Sequence, residues 1–362
     1  MFINKWVQHL MLFWGLGVFA FSGLQRAMVL PIDQCVWLLL MWVATGVVYM
    51  CVRQTRAWLF CQRVALCVEG GQVFYLHLTR HRKRFSVEDA GCICRDPEDS
   101  TSSTVHWPKG WPQTPLALAF CGERVLIKPL EIPNVAKNKA AKLAEYEASF
   151  RYPWLLVDWM HGFYAAPASS LARNYGIIDV AGIFWHKKEC MLYMEKTPWD
   201  KLPLRHVEPS LLALWRASQP LLTESLSAPA LVCAYDGCIC TLLIVQDDLP
   251  QLYVTWQRSL DIAPSDVRRV SLDIVEFLHV ALHENALLPP LSNIVFGGVP
   301  GDIPFTALLC QHFVQKGLAH QDVNVVSAEQ ILTHYLPGHG LQLMAPHAVA
   351  LGLILEEFHH AD

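Results

Sequence analysis

The sequence predicts an α/β protein with mixed sheets, preceded by a helical hairpin that crosses a membrane. Two long uncharged apolar runs stand at the N-terminus. Beyond them, short runs rich in β-branched residues alternate with amphipathic stretches, the pattern of strands and helices layered on one another. The best-defined pair, residues 230–246 (ALVCAYDGCICTLLIVQ), places two apolar runs around an Asp236-Gly237 turn. Runs of this length on either side of such a turn read as a buried hairpin.

The apolar runs cover residues 6–25 and 35–52 and carry no Lys, Arg, Asp or Glu. Each approaches the ~20 residues that span a bilayer as a helix. Trp6, Trp37 and Tyr49 lie near their ends, where interfacial aromatics belong. A cleaved signal peptide fits poorly, because the first apolar core is too long and no small-x-small site precedes Arg26. One span plus a buried helix is the alternative. Lys5 precedes the first run, and Arg53, Arg56 and Arg63 follow the second. That bias puts both ends of the hairpin in the cytoplasm. The expected topology is multi-pass, with a large cytoplasmic C-terminal part.

Composition agrees. Of 362 residues 53% are apolar and 17% charged, and the net charge is −4. Nothing in that balance suggests a nucleic-acid partner. The 12 Cys are scattered through apolar runs and read as reduced thiols. Cys92/Cys94 and Cys238/Cys240 are too closely spaced for a usual zinc site. No metal site is expected.

In chain order, residues 63–78 read as a hairpin turning at Gly70-Gly71. The basic cluster at 80–84 reads as a solvated turn, with lipid headgroups as the other option. Residues 96–114, rich in Pro, Ser, Asp and Gly, read as a loop or flexible insertion. Residues 116–120 and 124–127 are expected to pair around Cys121-Gly122. Asn134 is the expected N-cap of a helix over 136–150, with Ala140, Leu143, Glu147 and Phe150 on one face. Strands are expected at 176–184 and 189–194, and a helix at 209–218. After the central hairpin come a strand at 252–256, a long amphipathic helix at 265–285 and a buried strand at 293–296. That strand runs into Gly297-Gly298-Val299-Pro300-Gly301 and a helix ending at Lys316. A strand at 323–326 and a helix at 346–358 complete the chain.

This order is a hairpin with an Asp-Gly tip, a long helix, a strand ending in a Gly-rich loop, a helix, and a closing helix reading HAVALGLILEE. It resembles the second half of the actin-like ATPase superfamily. The stretch LALAFCGERVLIKPLEIPNVAKNKAAKLAEYEASFRYPWLLVDW narrows the resemblance to PilM, the GspL cytoplasmic domain and BfpC. These are inner-membrane platform proteins of type IV pili and type II secretion, so the resemblance implies a location in a bacterial inner membrane, multi-pass, with a large cytoplasmic C-terminal domain. The resemblance covers roughly residue 63 to the C-terminus. It implies a ribonuclease H-like, two-lobed cytoplasmic domain and a division into an anchor at 1–56, a first lobe at 57–225 with a subdomain inserted at about 116–167, and a second lobe at 226–362.

It also implies a nucleotide cleft, holding ATP with Mg²⁺ in active members. Gly70 and Gly71 would form one phosphate turn, Asp236, Gly237 and Thr241 the second, and Gly297, Gly298 and Gly301 the floor under the adenosine. Glycine allows the close backbone approach that phosphate or base requires. The departures weigh against turnover. Cys67 stands near the place where active members carry a metal-holding Asp, and Glu69 is the nearest carboxylate. Without a placed carboxylate, metal coordination and water orientation both weaken. The expected function is a non-catalytic scaffold, with an active ATPase regulating assembly as the alternative. A sugar- or acetate-kinase-type enzyme lacks a candidate base. Implied partners are PilN-like or GspE/GspM-like platform proteins, the secretion ATPase and further copies of the chain. Lys128, Leu130, Ile132 and Lys139 mark the surface expected to receive a partner peptide by strand addition.

His279 and His283, with Glu284, lack the His-Glu-x-x-His order of zinc proteases and read as surface residues. No Gly-x-Ser-x-Gly elbow or Walker lysine loop occurs.

Overall fold

The computed structural model describes residues 62–69, 72–81, 84–93, 116–120, 124–135, 137–165, 176–188, 204–222, 229–235, 238–259, 266–284, 290–298, 303–338 and 343–361. These fall within one compact unit, Cys61–Asp362. The expected spans at 6–25 and 35–52, the loop at 96–114 and the strand at 189–194 lie outside the described residues. So do Gly70, Gly71, Asp236, Gly237 and Gly301. No helix among the described residues is long and apolar enough to cross a membrane.

The first sheet is built from β1 (Gln62–Glu69), β2 (Gln72–His81), β3 (Arg84–Ile93), β4 (Leu116–Phe120) and β8 (Leu204–Pro209), in the order β3-β2-β1-β4-β8. The first three are antiparallel, and β4 and β8 add in parallel to β1. Side chains alternate across β1: Val64, Leu66 and Val68 enter one cluster, Ala65 and Cys67 another. Both faces are therefore covered, as the unbroken apolar reading of this strand requires.

The second sheet repeats the plan. It contains β9 (Ala230–Tyr235), β10 (Ile239–Gln246), β11 (Leu249–Gln257), β12 (Leu291–Gly298) and β13 (Ala319–Ser327), in the order β11-β10-β9-β12-β13. Again three antiparallel strands are extended by two parallel ones. The tight β10–β11 turn puts Asp247 and Asp248 at positive φ, a conformation that Asp tolerates better than most residues.

A third sheet, β5-β7-β6, is inserted between β4 and β8. It comprises β5 (Val125–Pro133), β6 (Trp159–Ala165) and β7 (Ile177–His186), with helices α1 (Lys137–Arg151) and α2 (Leu155–Asp158) between the first two. This corrects two expectations. β4 and β5 do not pair with each other: β4 joins β1 and β8, whereas β5 pairs along its length with β7. Parallel pairing to a distant strand outweighs the short connection. Asn134 stands outside the helix, and its N–H donates to the Gly176 carbonyl at 2.8 Å. The buried face of α1 is also narrower than expected. Ala144 and Ala148 pack on the inserted sheet beside Ala140 and Leu143, whereas Phe150 points to solvent.

Two helices lie between the main sheets: α3 (Ser210–Ser218), and α7 (Ala345–Ala361) at the end of the chain. Every residue of α3 is buried, as is each of residues 346–355 in α7. A helix apolar all round needs cover all round, and their shared cluster draws on both sheets. The outer face of the second sheet carries α4 (Val267–Glu284) and α5 (Ile303–Gln315). Val270, Ile274, Leu278 and Ala281 repeat at helical spacing along the buried side of α4. Helix α6 (Ala328–Tyr335) opens with a capping box in which Ser327 and Gln330 satisfy each other's backbone N–H groups.

Candidate functional site

The two main sheets face each other across α3 and α7, and register fixes which residues line the inner faces. In the second sheet Thr241 is paired with Ala234, and Ala234 with Gly297. The three form a row across β10, β9 and β12, so Thr241 and Gly297 stand two strand spacings apart, roughly 10 Å. Thr241 alternates with Cys240 and Leu242, which face α4 and α5, and so lies on the inner side with Leu243 and Val245. Gly298 pairs with Tyr235, the last residue of β9. The expected members Thr241, Gly297 and Gly298 thus come together at one end of one sheet.

Packing gives Gly297 a reason independent of any ligand. A Cβ built there would stand 2.5 Å from Cδ2 of Leu214, on α3. The missing side chain is filled by the helix between the lobes.

The matching row of the first sheet runs Phe74–Cys67–Ala119–Glu208 across β2, β1, β4 and β8. Cys67 and Ala119 are fully buried and apolar in character. Glu69 ends β1, two residues beyond Cys67 on the same face. The carboxylate of the row itself is Glu208, and it is occupied. Arg216 of α3 grips it with both arms, Nη1–Oε1 at 2.7 Å and Nη2–Oε2 at 3.0 Å. The guanidinium also donates to the Gly352 carbonyl at 3.0 Å and to Tyr164 Oη of β6, and its Nε reaches Glu356 Oε2 at 2.7 Å. His206 Nε2 lies 3.2 Å from Glu208 Oε2.

Burial pushes the Glu208 carboxyl above the usual carboxylate range, with His206 pulling it back. Burial also lowers Arg216 to about 10, against the attraction of Glu356. Arg216 is therefore still a cation at neutral pH, and the forked bond favours ionised Glu208. A buried pair of this kind is a costly feature unless its remaining groups are satisfied. Tyr164, Gly352 and Glu356 satisfy them, tying β8, α3, α7 and the inserted sheet into one polar knot.

The sequence reading missed this knot. Its signal was present: Arg216 is the one charged residue in the helix SLLALWRAS, and a charge inside an all-apolar helix calls for a buried partner.

On the inserted subdomain, Leu130 and Ile132 are each 1% exposed and pack inside its own core. Lys128 is half-buried with Nζ 5.9 Å from the Tyr152 ring centroid, and Lys139 is exposed. Of the four, the lysines alone offer side chains to a partner. Among the described residues no cluster of His, Cys, Asp or Glu could hold a metal ion. A shallow concavity of about 450 Å³ between β13 and α6, lined by Asn324, Gln330 and His334 among others, contains none of the expected site residues.

No family model matches the chain, and no curated protein matches it. Among solved structures it is similar to the PilM–PilN type IV pilus biogenesis complex, with 13% identity, a TM-score of 0.54, and coverage of 82% of this chain and 98% of that one. Also similar are the cytoplasmic domain of EpsL, an inner-membrane component of the type II secretion system of Vibrio cholerae (10% identity, TM-score 0.35, covering 70% and 95%), and an inorganic polyphosphate/ATP-glucomannokinase from Arthrobacter sp. strain KM (10%, 0.39, covering 83% and 99%). Together with the repeated five-strand order, the first likeness establishes an actin-like α/β fold with mixed sheets.

Proposed function

We propose that this chain is a membrane-anchored scaffold of a type IV pilus or type II secretion assembly platform, binding neighbouring platform proteins through its actin-like unit without turning over ATP. The observation that carries the non-catalytic part is the Cys67–Ala119–Glu208 row. Phosphoryl transfer needs a carboxylate free to hold Mg²⁺ or orient water. In this row the carboxylate is bound by Arg216 at 2.7 Å and 3.0 Å, and its neighbours are apolar. The platform part is supported by the likeness to the PilM–PilN complex over 82% of the chain and by the uncharged runs at 6–25 and 35–52. An ATPase whose nucleotide state controls assembly is the second reading. It is favoured by Thr241, Gly297 and Gly298 meeting at one sheet end, with Glu69 closing β1.

Fusions of alkaline phosphatase and, separately, green fluorescent protein after Asp362 test the anchoring. A fluorescent fusion and an inactive phosphatase are expected. The opposite pair would overturn the cytoplasmic assignment.

A further inference from the structure

Strand β13 is the outer strand of the second sheet, and it leads directly into α6. On one side it pairs with β12. Beyond that ladder, residues 319–326 make no further backbone–backbone hydrogen bond among the described residues. The register divides the strand into two parts. Ala319 pairs with Leu291 and Asn324 with Asn293, so residues 320–323 bulge opposite Ser292 alone. Such a bulge, with the exposed His320, Gln321 and Asp322 on it, keeps another strand from pairing there. Residues 324–327 carry no such guard. They keep a regular register with 293–296 over about 13 Å. The concavity of about 450 Å³ lies along this open part. Asn324 and Val326 line it from the strand, Leu221 from the turn after α3, and Glu329, Thr333 and His334 from α6. Asn324 is fixed in place, since its Nδ2 donates to the Leu221 carbonyl at 3.2 Å and to Asn293 Oδ1 at 3.1 Å. Glu329 is the one formal charge of the lining at neutral pH; it is exposed and has no ion-pair partner among the described residues. Asp322, exposed on the bulge, adds a second acid, and no Lys or Arg lines the concavity.

We propose that the groove between β13 and α6 takes an extended basic peptide segment of another protein. The peptide adds to β13 as a further strand along 324–327 and sets a Lys or Arg side chain against Glu329. Two features select this occupant. The first is the backbone. An open row of N–H and C=O groups is complementary to another extended chain, and the adjoining groove receives the alternate side chains that point its way. A helix or a flat apolar surface satisfies neither. The second is charge. An unpaired acid on the lining, with a second acid on the bulge and no cation beside them, favours a basic peptide over an acidic one. The inference stands apart from the anchored-scaffold reading, since it draws on neither the apolar runs at 6–25 and 35–52 nor the Thr241–Gly297 row.

The test is selection of phage-displayed random octapeptides on the immobilised full chain, followed by fluorescence polarisation with the enriched peptides made synthetically. Enriched peptides are expected to alternate apolar, β-branched residues with polar ones and to carry a Lys or Arg. N-methylation distinguishes strand addition from side-chain contact alone. Blocking an amide that faces β13, every second one along the peptide, should weaken binding about tenfold. Blocking an amide between them should not. Bound peptide should slow hydrogen exchange in residues 323–327 and leave α4 unchanged. Glu329→Gln, at an exposed position, should keep the thermal midpoint and weaken binding about threefold. Replacing the basic residue of the peptide by Gln should cost the same, and should cost nothing further in the Glu329→Gln protein. No enrichment over the bare support would overturn the proposal. So would binding indifferent to which amides are N-methylated, or exchange slowed elsewhere and not in 323–327. Protection of 323–327 that grows with protein concentration in the absence of peptide would overturn it as well, and would assign the edge to a second copy of this chain.

Discussion

The backbone of Gly352 lies directly against the carbonyl of Ala213 where α7 crosses α3. A Cβ built on Gly352 would overlap that oxygen and stand 2.5 Å from its carbon. The obstacle is backbone, which cannot rotate away as a side chain can. The crossing sets how closely the two buried helices, and through them the two sheets, approach each other.

Gly352→Ala should therefore cost about 3 kcal/mol, at the upper end of overpacking penalties. Gly162→Ala is the control, since its Cβ would meet Trp185 at an ordinary 3.5 Å. Thermal melts should show a large loss for the first and little or none for the second. Equal shifts would contradict the close crossing.

The polar knot predicts a non-additive pair. Arg216→Met strands the Glu208 carboxylate, which is 3% exposed, and should cost roughly 3–5 kcal/mol. Glu208→Gln added to Arg216→Met should recover much of that loss. Denaturant midpoints of the singles and the double measure the coupling. Simple additivity would show that the two groups do not act on each other.

His347 predicts a loss of stability in mild acid. It is 1% exposed, its Nδ1 accepts the Met344 N–H at 2.9 Å, and its Nε2 lies 3.3 Å from the Gly91 carbonyl. These contacts suit the neutral ring. Burial lowers its pKa below 6.5, outweighing the two backbone bonds. The folded protein therefore takes up the proton less readily than the unfolded chain. Stability is full above about pH 6.5 and is lost as pH falls toward the lowered folded value, by at most about 1.4 kcal/mol per pH unit from this group. His347→Asn should flatten the slope of urea midpoints across this range, whatever its effect at neutral pH. An unchanged slope would remove His347 from the account.

Two lysines within the inserted subdomain predict a partner effect. In Lys128→Glu with Lys139→Glu, the exposed Lys139 contributes at most about 1 kcal/mol to stability, and the half-buried Lys128 adds the loss of its contact with the Tyr152 ring; the double variant should keep a cooperative melt. Co-purification with the cognate platform protein should fall. Recovery of that partner at the wild-type level would exclude both lysines from the interface.

Much of the fold was legible because local pattern and final structure agree. The β9–β10 hairpin, α4, β12 and α5 carry strong periodicity within one window, and each lies where the sequence places it. Elements whose burial is mixed were missed. β3 is an edge strand of half-buried and exposed residues, and each of residues 159–164 in β6 is half-buried, so neither gives an apolar run. β8 carries His206 and Glu208, and the buried Glu208 carboxylate depends on Arg216 eight residues later, itself tied to Glu356 far along the chain. The expected pairing of β4 with β5 failed because parallel partners 50 to 90 residues away in sequence leave no mark at the turn. The site is similar. Glycines near turns can be read off the sequence, but the row joining Thr241, Ala234 and Gly297 exists in the register alone, and so does the Leu214 contact that explains Gly297.

Phosphate release by the purified full chain with ATP, with and without Mg²⁺, tests the scaffold assignment most directly, with Asp236→Ala measured in parallel. The account predicts no magnesium-dependent release above the protein-free rate and no difference between wild type and variant. Magnesium-dependent turnover in the wild type that disappears in Asp236→Ala would contradict it and establish the unit as an ATPase.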